Sequence, residues 1–352
     1  MLQESAQGSS AGSSATVSPA IAIADVRPDS SRLLMRRAVF YCRSTLNFYT
    51  KHMSKEPYAI TAFYKFLQVS SPEELQASLS KQGEALGIRG LVLVASEGIN
   101  GTVSGSPDAI NAWKDVLQEI IGDIECKDSI ATEDPCKRFF VKVREEIVGL
   151  GDKSIVPEGP NNHISPKEWH EIMQNEDVVV LDTRNTYETE IGVFKGAIDP
   201  KLEKFSDFGQ YVQDCGIPKD KKVLMYCTGG IRCEKASMEM QKQGYENVYQ
   251  LQGGILKYFE QYPEGLFEGE CFVFDHRTSV DTQLQPSRKY HLCPHCGDPG
   301  DRSVTCEQCG DSGVICHRCE AKDHKKTCSK DCSHHHAIGS QSSKKKAQAA
   351  AI

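Results

Sequence analysis

The segment Val223–Cys233, reading VLMYCTGGIRC, concentrates the residue types that do chemistry. Cys227 closes an apolar run with the composition of a buried strand, and a glycine-bearing loop leads from it into a helix. In an open α/β sheet the carboxyl ends of the strands are where ligands bind. Loop amides converge on the sulfur there, and a helix N-terminus adds partial positive charge. Both favour the thiolate, so the Cys227 pKa is expected below that of a free thiol. Thr228, Gly229, Gly230 and Ile231 form the loop, and the glycines permit unusual backbone angles. Arg232 sets a fixed cation beside the sulfur, suited to an anionic substrate or leaving group. A cysteine at a strand end is ordinarily a packing residue. Strand, glycine pair, arginine and helix together favour a reactive one. Cys233 is a candidate second thiol: its plain reading is packing, its chemical reading a disulfide with Cys227 during turnover.

Cys227 and Arg232 make a Cys-x4-Arg loop. Cysteine phosphatases use one residue more, which leaves room for a phosphate; the shorter loop suits a small terminal sulfur. The domain resembles a rhodanese. That family has Asp and Arg at the end of the first strand, matched by Asp182 and Arg184, then an acidic residue, matched by Glu188. The run Leu251-Gln252-Gly253-Gly254 also fits. The resemblance implies a persulfide on Cys227, with Asp182 and Arg184 read as structural supports of the loop.

A wider set of motifs occurs in order: AFYKF from Ala62, SEGINGT from Ser96, CTGGIRCEKA from Cys227, QGGI from Gln252 and GECFVFD from Gly269. In these the chain resembles the tRNA uridine hydroxylase family. The resemblance implies an enzyme that hydroxylates the wobble uridine of tRNA to 5-hydroxyuridine, with molecular oxygen as co-substrate and Cys227 as the catalytic cysteine. Two other readings remain. One is a persulfide sulfurtransferase fed by thiosulfate or a sulfur-donor protein. The other is a non-enzymatic zinc-bearing adaptor, against which the thiol at position 227 argues.

An α/β chain of several parts must position these residues. Residues 56–150 are expected to form a ferredoxin-like (acylphosphatase-like) domain of order βαββαβ. Its strands are Ala59–Phe66, Gly90–Ala95, Ile99–Val103 and Phe139–Val143. Its helices open at the capping box Ser71-Pro72-Glu73-Glu74 and at Ser106-Pro107-Asp108. The turn at Glu97–Gly101 is a hairpin whose Glu97 and Asn100 are candidate RNA contacts. Lys142 and Arg144 alternate on the last strand and so share one face, a candidate phosphate track or a plain solvated surface. After a Pro/Gly/Asn-rich stretch, residues 151–265 read as a doubly wound parallel sheet of the rhodanese kind, with strands near 178–181, 222–226 and 247–251.

Eight cysteines fill residues 266–335: Cys293, Cys296, Cys306, Cys309, Cys316, Cys319, Cys328 and Cys332. Repeated C-x2-C knuckles point to tetrahedral zinc. Eight thiolates suffice for two structural ions, and alternate pairing is favoured: the first pair with the third, the second with the fourth. Nearby histidines, such as His295 or His317, could replace a cysteine in either site. The segment has few large apolar residues, so metal would be needed to hold it.

The whole chain has 352 residues and a formal charge of −7, which argues against a globally basic nucleic-acid binder while leaving room for a local basic groove. No run approaches the roughly 18–20 apolar residues of a membrane span. Clustered thiols without an apolar signal segment fit a reducing, cytoplasm-like compartment. Residues 1–55 read as a disordered extension or an upstream start, with an organelle transit peptide as the alternative. Residues 336–352 read as a disordered tail.

Overall fold

The computed structural model describes residues 57–158 and 161–338. The expectations for the two terminal extensions lie outside or at the margin of these residues.

The first domain begins with β1 (Tyr58–Phe66), α1 (Pro72–Ala85), β2 (Arg89–Ala95), β3 (Gly98–Gly105) and α2 (Pro107–Ile121). Both helices start as their sequences require. Ser71 and Ser106 accept from the amides of Glu74 and Ala109, and each is followed by proline. Two further strands follow, β4 (Cys126–Ala131) and β5 (Phe139–Val143). The sheet order is β4-β1-β3-β2-β5. This corrects one expectation. The strand that completes the ferredoxin-like order beside β1 is Cys126–Ala131, antiparallel to it; Phe139–Val143 is a fifth strand, parallel to β2 at the opposite edge. The sequence CKDSIA hides a strand because Lys127 occupies a position where alternation would put an apolar residue, and Lys127 is nonetheless buried.

One face of this sheet packs on the helices. Phe63, Val92, Val94, Ile99, Val103 and Val141 meet Leu79, Ile110, Trp113 and Leu117 there. By the two-residue period, Tyr64, Leu91, Leu93, Asn100, Thr102 and Lys127 lie on the other face. That face turns toward the second domain and lines a cavity with it.

The second domain carries a parallel sheet: β6 (His163–Ile164), β7 (Val179–Asp182), β9 (Val223–Tyr226) and β10 (Val248–Leu251), in the order β6-β10-β9-β7. Apolar clusters cover both its faces. Ser165 caps α3 (Pro166–Asn175) by accepting from Glu168 N. Between β7 and β9 lie α4 (Thr186–Thr189), β8 (Gly192–Phe194) and α5 (Phe208–Asp214). The central strand β9 leads into α6 (Ile231–Lys242), and β10 leads into α7 (Gly254–Gln261). A β-strand at Phe267–Gly269 pairs with β8, and two short hairpins, His291–Leu292 with Pro299–Gly300 and Arg302–Thr305 with Ser312–Ile315, carry the cysteine-rich region. Among the described residues no helix is long and apolar enough to cross a membrane.

A buried ionic cluster joins the first two domains. Lys235 of α6 has no exposed surface and bonds Glu97 at 2.7 Å and Glu146 at 2.6 Å. Tyr64 of β1 donates to Glu234 at 2.9 Å.

Candidate active site

Cys227 follows the last residue of β9, and the chain turns over its sulfur before entering α6. The amide of Gly230 donates to Sγ at 3.1 Å. Gly230 adopts a φ of 101°, which only glycine takes without strain, whereas Gly229 does not need the left-handed region. Gly254 is the other glycine the loop requires. A Cβ there would stand 2.5 Å from the Cys227 carbonyl oxygen. That close approach lets the first amides of α7, on Ile255 and Leu256, bond the carbonyls of Cys227 and Thr228 at 3.0 and 3.1 Å.

Burial works against a thiolate at Cys227. The Cys233 thiol, the Arg232 guanidinium and the amides of Arg232 and Cys233 outweigh it and bring the pKa down to about 6. Burial and the adjacent Cys227 push Cys233 the opposite way, well above the ordinary thiol value, so Cys233 is the hydrogen-bond donor of the pair. Thr183 lies 3.5 Å from the Cys233 sulfur and donates to the Tyr226 carbonyl.

The two arginines of the site are both held by carboxylates. Arg184 and Asp182, each without exposed surface, form a two-point ion pair, and Arg184 also donates to the Gly192 carbonyl. Arg232 is gripped by Glu188 at 2.5 and 2.7 Å. Arg232 is thus the fixed cation expected beside the sulfur, with Glu188 as its partner. Its charge acts on Cys227 through space, while its donors are engaged.

Cys227 itself has 0% exposure yet belongs to the wall of a cavity of about 350 Å³. Three stretches of chain build this cavity: the open face of the first sheet, the Cys227 loop, and Val273–Arg277. Phe274 is 58% exposed there and lies beneath the Arg232 guanidinium. Lys127 and Phe274 are among the residues of the site that sequence patterns did not single out, as are Tyr187 and Arg277. The motif GECFVFD carried Phe274 without a role; nothing local marked Lys127.

The candidate RNA contacts separate. Glu97 is 6% exposed, accepts from the Ile147 amide and pairs with Lys235, so it is a clamp between domains and not an open contact. Asn100 is half-buried, donates to the Ile147 carbonyl and lines the cavity. Lys142 and Arg144 are exposed at β5 and just beyond its end. Lys142 sits over the ring of Phe140, itself 46% exposed.

The eight late cysteines form two groups, Cys293, Cys296, Cys316 and Cys319, and Cys306, Cys309, Cys328 and Cys332, with the sulfurs of each within 4.8 Å of one another. This is the alternate pairing. Contacts of 3.4–3.8 Å within the groups match the roughly 3.8 Å expected across a tetrahedron with 2.3 Å metal–sulfur bonds, so each group is able to hold a metal ion. Every corner is a cysteine; His295 bonds the Thr327 carbonyl and so links the two groups.

Three family models match the chain: the UPF0176 acylphosphatase like domain over residues 58–147, the Rhodanese-like domain over 165–261 and the Rhodanase C-terminal over 268–333. A tRNA uridine(34) hydroxylase of Bdellovibrio bacteriovorus is 48% identical over 283 residues, covering 79% of this chain and 81% of that protein. One of Teredinibacter turnerae is 44% identical, covering 74% and 83%.

Proposed function

The chain belongs to the tRNA uridine(34) hydroxylase family, and from that membership we propose that it hydroxylates the wobble uridine of tRNA, with molecular oxygen as the oxygen source and Cys227 as the reacting group. The observation that carries the role of Cys227 is the donor set around its sulfur. A buried thiol with a pKa near 6 is anionic at neutral pH and adjoins the cavity. At about 350 Å³ the cavity lies within the range of small-ligand sites, about 300–1,000 Å³.

Thiolates act as nucleophiles in covalent catalysis. The anionic sulfur adds to the electron-poor ring carbon of the uridine and so makes the neighbouring carbon nucleophilic toward oxygen; one oxygen atom stays there as the hydroxyl, and the other leaves as water with two electrons from an external thiol reductant. A persulfide would carry its outer sulfur about 2 Å beyond Sγ, which suits a cysteine whose own surface is covered. Thr228 to Arg232 shape the loop, Asp182 and Arg184 brace it, and Cys233 donates to the sulfur. Asn100 contacts the substrate from the cavity wall, and Lys142 and Arg144 track backbone phosphates outside it. Two structural zinc ions hold the cysteine-rich region.

The loop geometry also favours a second reading, transfer of a persulfide sulfur supplied by thiosulfate or a donor protein. Incubation of the purified protein with unmodified tRNA, in air and under nitrogen, followed by nucleoside mass spectrometry separates the two. The expected result is a uridine heavier by one oxygen, formed in air alone. Unchanged nucleosides together with cyanide-dependent thiocyanate formation would support plain sulfur transfer instead.

A further inference from the structure

Three cationic side chains line the cavity beside Cys227: Arg232, Arg277 and Lys127. Two are spoken for. Arg232 is bound by Glu188, and Arg277 is bound by Asp275 and by Ser129. Lys127 is different. It is 7% exposed, and among the described residues it has neither a hydrogen-bond acceptor nor an ion-pair partner. Its ammonium sits over the face of the Tyr64 ring, 4.9 Å away. Elsewhere the same fold pairs a buried lysine fully: Lys235 meets two carboxylates. Its stem is buried while its ammonium reaches open space at the cavity, and a charge so far withdrawn from bulk water without a partner is costly to keep. Packing alone gives no reason for one here.

Its position gives a reason. Lys127 is on β4, on the sheet face that looks into the second domain, and it pairs across the sheet with Ala62. A Cβ on Gly229, two residues past Cys227, would lie 3.9 Å from Lys127 Cδ. The lysine stem therefore lies against the loop that holds the sulfur, and its amine ends over the Tyr64 ring on the wall of the same cavity. Burial lowers the lysine's pKa, and Glu125 first, then Cys227, oppose it by supporting the charge.

The reacting sulfur needs such a cation at one moment. When the anionic sulfur carried by Cys227 bonds to C6 of a uracil, the C5–C6 π pair moves toward C4. The C4 carbonyl becomes an enolate, and its oxygen takes the charge. Nothing is oxidised or reduced in this step. Protonation of C5, then loss of a C5 proton and expulsion of the sulfur, restores the uracil. Resting on the role proposed for Cys227, we propose that Lys127 is a further catalytic residue, donating a hydrogen bond to the O4 enolate oxygen of the uridine as the sulfur adds. The acceptor missing from the free protein is then supplied by the substrate. The first domain thus contributes a reacting group and not only a wall.

The step is visible without oxygen. Reversible addition exchanges the hydrogen on C5 of the target uridine for deuterium in heavy water under nitrogen. Full-length wild type is expected to catalyse that exchange. Lys127→Met is expected to slow it by about 10²–10³-fold, the usual cost of losing one oxyanion donor. In the same variant tRNA affinity by gel shift should change less than about threefold, and the melting temperature should be no lower than wild type, because an unpaired charge withdrawn from bulk water has been removed. Lys127→Arg should recover part of the exchange. Exchange at the wild-type rate in Lys127→Met overturns the proposal. So does a matched loss of tRNA affinity, which would make Lys127 an anchor. A Lys127→Met protein that melts lower or does not fold would mark a structural lysine and likewise overturn it. A wild type that hydroxylates in air yet never exchanges would remove the sulfur addition, and this proposal with it, while leaving the hydroxylase reading intact.

Discussion

At Cys227 burial and local charge pull in opposite directions, and the donors win. Its reactivity should therefore follow an acid thiol. Alkylation of the Cys227 peptide by iodoacetamide, followed by mass spectrometry in the full chain, should rise through about pH 6 and level off above it, where an ordinary thiol would rise near 9. The thiolate fraction grows with pH, so a lowered pKa moves the rise to lower pH. Cys233→Ala removes a hydrogen-bond donor to the anion and should shift the rise upward. Cys233→Ser keeps a donor and should keep turnover; a Cys233→Ser protein without turnover would favour a disulfide cycle. Most of this was legible in sequence, because Cys227 to Cys233 are contiguous and their types name their roles. The partners were less so. Arg232 is held in place by Glu188, which stands 44 residues away, and Lys127 comes from another domain. No local pattern announces a lysine that a strand from elsewhere brings over a loop.

At the scale of elements, the capping boxes and the apolar runs of β2, β7, β9 and β10 announced themselves, since helix starts and buried strands follow from adjacent residues. The strand β4 did not, because its cavity-facing positions carry Lys127 and Ser129, residues spent on the site and not on the core. The open face of the sheet that includes β4 runs outward to β5, where Lys142 and Arg144 are exposed. Replacing both with Ala should weaken tRNA binding and flatten its salt dependence by about one unit of slope per residue, with the rate at saturating tRNA unchanged. Filter binding across a salt series reads this. An unchanged slope would return both residues to plain solvated surface. The link between α6 and the first domain makes a separate expectation. Lys235→Ala takes the cation away from buried Glu97 and half-buried Glu146, leaving them their backbone donors alone, and should cost about 3–5 kcal/mol in denaturant unfolding.

At the scale of the molecule, the cavity exists only because three stretches of chain meet, and the composition of each suits its part. The first two domains have apolar cores of their own. The cysteine-rich region has a core of little more than Ile315, Val304 and its own cysteines. Chelation of metal from the full chain should therefore expose residues 291–338 to limited proteolysis while the first two domains stay resistant. Protection that survives chelation would mean that packing alone holds the region. The central claim is that the sulfur of Cys227 takes part in hydroxylating uridine. The most direct test is nucleoside analysis of unmodified tRNA incubated in air with a folded Cys227→Ser protein. The account expects tRNA binding close to wild type and no uridine gaining an oxygen; hydroxylation at the wild-type rate would contradict it.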